Sequence, residues 1–93
     1  MSNGQEYNWD YQPSYTQLNV LYAIKRGATL KCTEGGEYRV WLETGSESEG
    51  NLKKTPVSKA TANVLSIQEC IGPDDTTRNS MKLIRRAYNY VGK

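Results

Sequence analysis

The chain of 93 residues has no histidine and no phenylalanine, and only two cysteines and three prolines. Without histidine it lacks the commonest general base and the commonest metal ligand, so Ser-His and Cys-His nucleophile pairs cannot be built. Cys32 and Cys70 lie far apart in sequence and do not have the CxxC spacing of zinc or redox sites. They read as small buried apolar groups, Cys32 in a strand and Cys70 on a helix, rather than as a disulfide. No apolar run approaches the ~20 residues that cross a bilayer, and the N-terminal residues lack the apolar stretch of a secretory signal. The expectation is a soluble cytoplasmic protein with no membrane partner.

Phosphate-loop chemistry is also missing, because Gly35-Gly36 is too short for it and has the neighbours of a hairpin turn. Glu43, Glu47 and Glu49 are close in sequence without the ligand periodicity of a calcium loop, so residues 44–50 read as a solvated loop. Asp74-Asp75 is the one paired carboxylate and is explained by a helix cap. No catalytic residue, metal site, cofactor or small-molecule substrate is therefore expected.

What is present points to a single small α+β domain, residues 13–93, preceded by an aromatic arm, residues 1–12. The arm has Tyr7, Trp9 and Tyr11 at alternate positions, which in an extended chain turns all three rings the same way. It either lies across its own domain, adds an edge strand, serves as a docking peptide for another molecule, or is disordered. Pro13-Ser14 with Gln17 forms a capping box, and Gly27 after Lys25-Arg26 ends the helix so begun. Leu18, Val20, Leu21, Tyr22 and Ile24 supply its apolar stripe.

A hairpin follows, residues 28–34 and 38–43. A two-residue turn sets Cys32 opposite Arg39, whereas a three-residue loop pairs Cys32 with Val40 and Leu30 with Leu42 and gathers the aliphatic side chains on one face. The second register is preferred. It turns Trp41 and Arg39 to the other face, where Trp41 is either covered by the arm or forms a contact surface. Residues 51–57 are an optional third short antiparallel strand, confined by Pro56 to an edge. Ser58 opens a second helix over residues 59–71, with Ala60, Val64, Leu65, Ile67 and Ile71 inward.

The last segment, residues 75–93, is read as a third helix, capped by Asp74, Asp75 and Thr76, with Leu83, Ile84, Ala87, Tyr88 and Val91 on one side and Lys82, Arg85, Arg86 and Lys93 on the other. The same residues have the tyrosine and β-branched content of a strand, but the spacing favours a helix. Charge is uneven as well: residues 1–50 carry −3 and residues 51–93 carry +5. If the second and third helices pack side by side, Lys53, Lys54, Lys59, Lys82, Arg85 and Arg86 form a cationic face for phosphates or an acidic partner.

The segments "AIKRGATL" and "PVSKATANVL", through Ile24, Gly27, Leu30, Ser58 and Thr61, resemble those of winged-helix-like small proteins of phages and bacterial chromosomes. The resemblance covers about half the chain, and it implies a winged-helix-like domain. A standard winged helix ends in a wing hairpin, whereas a basic helix is expected here. Two functions follow as expectations. One is a non-enzymatic protein whose basic helical face engages nucleic acid or a nucleoprotein complex. The other is a phage-type inhibitor or adaptor, anti-host and anti-CRISPR-like, that binds a host protein through Tyr7, Trp9, Tyr11 and Trp41 together with basic residues.

Overall fold

The computed structural model describes residues 6–33 and 36–92. Its helices and strands are α1 (Tyr15–Lys25), β1 (Thr29–Cys32), β2 (Val40–Thr44), β3 (Lys53–Val57), α2 (Lys59–Ile67), β4 (Ile71–Pro73), β5 (Ser80–Leu83) and, after a 3-10 turn (Arg85–Ala87), α3 (Tyr88–Val91). The strands form one five-stranded antiparallel sheet in the order β3-β2-β1-β5-β4.

Helix α1 starts as its punctuation dictates. The Ser14 hydroxyl accepts the Gln17 backbone N–H at 3.2 Å, and the Gln17 side chain accepts the Ser14 N–H at 3.0 Å. It stops at Gly27, whose φ of +114° turns the chain so that Ala28 N–H donates to the Ala23 carbonyl at 3.0 Å. The hairpin takes the register that unites the aliphatic side chains, Leu30 opposite Leu42 and Cys32 opposite Val40. Glu34 and Gly35 of its turn lie outside the described residues. Strand β3 forms at the sheet edge, as Pro56 requires.

Helix α2 opens on Ser58, whose hydroxyl accepts the Thr61 N–H at 3.0 Å. It ends earlier than the expected residue 71. Glu69 takes a left-handed φ of +59°, Glu69 N–H donates to Ser66 O at 3.1 Å and Cys70 N–H to Leu65 O at 2.8 Å. This is a glycine-type helix stop built on a glutamate. Cys70 consequently sits in the turn and Ile71 begins β4, so neither extends the helix.

The largest correction concerns the expected third helix. Residues 75–79 are a hairpin turn in which the Asp74 carboxylate accepts the Thr76 N–H at 2.9 Å, the same local chemistry as a helix cap. Ser80–Leu83 is a strand that pairs with β1 on one side and β4 on the other, so the sheet has five strands, not two or three. Met81 and Leu83 face the helices, while Lys82 faces away. The β1 edge has unpaired backbone groups, and satisfying them outweighs the helical spacing of the side chains.

Both longer helices pack on one sheet face. Leu21 of α1, Leu65 of α2, Leu30 of β1 and Ile71 of β4 are fully or almost fully buried in one cluster with Val40, Leu83 and Ala87. Each outer strand contains a proline, Pro56 in β3 and Pro73 in β4. A proline has no N–H to offer an incoming strand, so both sheet edges are blunted. Neither α1 nor α2 packs on the sheet's second face.

Candidate binding face

Strand alternation places Lys31, Trp41, Glu43, Lys54, Pro56 and Lys82 on the face away from the helices. Three of them hold Trp41 and its neighbours in place. The Trp41 indole N–H donates to Glu43 at 2.8 Å, Lys31 pairs with the same carboxylate at 3.5 Å, and the Lys54 ammonium stands 5.6 Å from the centre of the Trp41 ring. The indole hydrogen bond, followed by the charges of Lys31 and Lys54, holds the Glu43 carboxyl below its usual range.

Trp41 and Lys54 form a wall shared by two open cavities. The first, of about 540 Å³, is bounded by Tyr38, Arg39, Trp41, Lys54, Pro56 and Lys59. Its walls are the rings of Tyr38, Trp41 and Pro56, with Val40 and Val57, and its charged members are the three cations and Glu37. Arg39 pairs with Glu37 at 3.0 Å, while Lys54 and Lys59 have no carboxylate within ion-pair distance among the described residues. Tyr38 is 44% exposed, and partial burial pushes its phenol pKa up. The second cavity, of about 500 Å³, is more polar and lies between the 45–52 loop and the turn before β5, with Lys31, Glu43, Glu47 and Leu52 in its lining.

The six cations anticipated as one patch are dispersed. Lys54 and Lys59 meet at the first cavity. Lys53 neighbours Lys54 on β3 but alternates to the other side, opposite Thr44. Lys82 is exposed on β5, three strands from β3. Arg85 is tied to Glu69 at 2.9 Å. Arg86 is only 8% exposed. Its guanidinium lies over the rings of Tyr7 and Tyr11 and donates to Gln68 and to the Asn8 carbonyl. No helix carries Lys82, Arg85 and Arg86 together, and Arg86 is a structural fastener because it is buried between the arm rings and hydrogen-bonded to Gln68 and Asn8.

Residues 1–5 of the arm lie outside the described residues; residues 6–12 pack on the domain, around α2 and the C-terminal segment. The Asn8 N–H donates to Gln68 at 2.9 Å, Gln68 donates to the Glu6 carbonyl at 2.6 Å, and the Tyr90 hydroxyl donates to the Tyr11 carbonyl at 2.8 Å. A turn at residues 8–11 breaks the extended alternation, so the rings do not share one direction. Tyr11 enters the core, where burial pushes its phenol pKa far up. Trp9 stays 86% exposed and meets Tyr7 edge-on at 5.1 Å. Trp41 is flanked by Glu43 and Lys54 of its own sheet, while the hydrogen bonds and cation–ring contacts between arm residues 6–12 and the domain run to Gln17, Gln68, Arg86 and Tyr90.

Tyr38 and Arg39 line the same cavity as Trp41, and the run Tyr38-Arg39-Val40-Trp41, which mixes rings with a cation, is the sequence signal for it. Gln68 had no such signal, since one polar residue at the end of an apolar stripe looks like a helix terminus. Burial pushes the Cys70 thiol up to about 11, so it stays protonated at neutral pH.

Fold and face together define a two-layer α+β domain with one sheet face open and both sheet edges blunted. The chain matches no protein-family model, no curated protein and no solved structure. Among the described residues no helix is long and apolar enough to cross a membrane.

Proposed function

We propose that the protein is a small non-enzymatic binding protein that works in the cytoplasm and engages nucleic acid or a nucleoprotein complex through its open sheet face. One observation carries this reading: Tyr38, Trp41, Arg39, Lys54 and Lys59 surround a single concavity. Rings offer stacking surfaces and cations offer phosphate contacts, which is the pairing that nucleic-acid surfaces use. The contact surface is thus a sheet face rather than the helical face expected from residues 75–93.

A salt titration against short single- and double-stranded DNA and RNA tests it. Binding in the range of about 10⁻⁴ to 10⁻⁶ M that weakens steeply with salt supports it. No binding to any of these probes at low salt overturns it.

A second reading is favoured by one different observation, the nearly bare indole of Trp9 beside Tyr7. On this reading the protein is a phage-type inhibitor or adaptor of a host protein, anti-host and anti-CRISPR-like, with Trp9 as the anchoring side chain. Trp9→Ala then abolishes partner capture while leaving thermal unfolding unchanged. Full partner capture by that variant sinks the reading.

A further inference from the structure

We infer that the cavity beside Trp41 is a subsite for one unstacked base of a single-stranded nucleic acid, with the adjoining phosphates on Lys54 and Lys59. The inference rests on the nucleic-acid reading above and narrows it to single strands. At about 540 Å³ the cavity is ligand-sized, within the ~300–1,000 Å³ range of pockets that enclose small groups. Its rings line an open depression, with Trp41 partly buried and Tyr38 44% exposed. A duplex keeps its base faces stacked on one another and presents phosphates outward, so it cannot bring a base face to a recessed ring. A single strand can turn one base out into the depression.

The state of Trp41 supports the same choice. Its only polar atom is already bonded to Glu43, so the indole has no donor left for reading a base edge and contributes its ring surface alone. Stacking of this kind is sequence-tolerant. The Lys54 ammonium lies over that ring, 5.6 Å from its centre, and so puts a cation at the same cavity for the phosphate of a stacked base. Lys59 lies on the same cavity, at the first position of α2. Pro56, in the wall, argues against an extended peptide as occupant, because the strand edge beside the cavity lacks the N–H that a peptide backbone needs to add as a further strand.

The test uses the full chain with a Trp9→Phe background, so that indole fluorescence reports Trp41 alone. The probes are a thymine dodecamer, an adenine dodecamer and the duplex of the two. The expected result is quenching of Trp41 emission by both single strands, with single-strand affinity at least about tenfold above that of the duplex. Tyr38→Ala lowers single-strand affinity at least about fivefold, in line with the loss of one base–ring stack. Lys59→Glu reduces the salt dependence for single strands. Circular dichroism establishes that each variant is folded. Salt-dependent binding with the duplex equal or tighter overturns the single-strand subsite but not the nucleic-acid reading. Unchanged single-strand affinity in folded Tyr38→Ala overturns the cavity assignment. No binding of any of the three probes overturns both.

Discussion

Arg86 donates to Gln68 at 3.1 Å, and both side chains are buried, Gln68 completely. No carboxylate pairs with Arg86 among the described residues. Its charge is met instead by the ring faces of Tyr7 and Tyr11 and by oxygens of Gln68 and Asn8. Gln68 completes the junction with contacts to the backbone of Glu6 and Asn8. One amide thus joins α2, the C-terminal segment and the arm.

The neighbouring arginines are predicted to behave oppositely. Arg86→Glu buries a carboxylate among groups arranged for a cation and costs about 3–5 kcal/mol in urea unfolding. Arg85→Glu replaces an exposed ion pair with two exposed carboxylates, a cost of about 1 kcal/mol. Equal losses at the two positions contradict the placement of Arg86.

At Glu69 the left-handed backbone makes glycine the better residue. Glu69→Gly is predicted to be more stable than Glu69→Ala by about 1 kcal/mol, both lacking the Arg85 pair. Chemical denaturation of the two variants measures this directly. An alanine variant as stable as the glycine variant is incompatible with the turn.

Alkaline pH is predicted to destabilise the fold through Cys70 and Tyr11. Burial is the main cause in both, and it raises each folded-state pKa above the unfolded value. The contribution is therefore fully present below the ordinary range of each group and is lost as pH rises, for Cys70 between its usual 9 and about 11. Melting temperature should fall over that interval, and Tyr11→Phe should fall less steeply with pH. A flat profile up to pH 11 counts against burial of both groups.

Acid acts on the open face instead. Glu43 is held below its usual value near 4.5, first by the Trp41 indole hydrogen bond. A lowered folded-state pKa means that the contact stabilises above the ordinary carboxylate range and is lost as pH falls through the depressed value. In a Trp9→Phe background the Trp41 emission is expected to change with a midpoint below 4.5, and Glu43→Gln should remove that transition. A midpoint at or above the ordinary value excludes the indole–carboxylate bond as the controlling contact.

The candidate face is legible in the sequence only in part. The run Tyr38-Arg39-Val40-Trp41 mixes rings with a cation, and Lys54 and Lys59 add local charge. Their convergence on one cavity depends on β3 folding beside β2, a pairing that a solvated loop of Gly, Ser and Glu does not announce. Arg86 had the spacing of a surface cation but is buried, because Gln68 and the arm tyrosines gather around it from distant parts of the chain.

By itself the sequence determined the local elements. The Ser14–Gln17 capping box and Gly27 bound α1, Ser58 opens α2, the aliphatic alternation sets the β1–β2 register, and Pro56 assigns β3 to an edge. These are contacts between residues a few positions apart, where side-chain and backbone preferences act without outside help. Tertiary structure decided the C-terminal half. Residues 80–83 hold a spacing compatible with either helix or strand, and the unpaired edge of β1, about fifty residues away in sequence, makes them a strand.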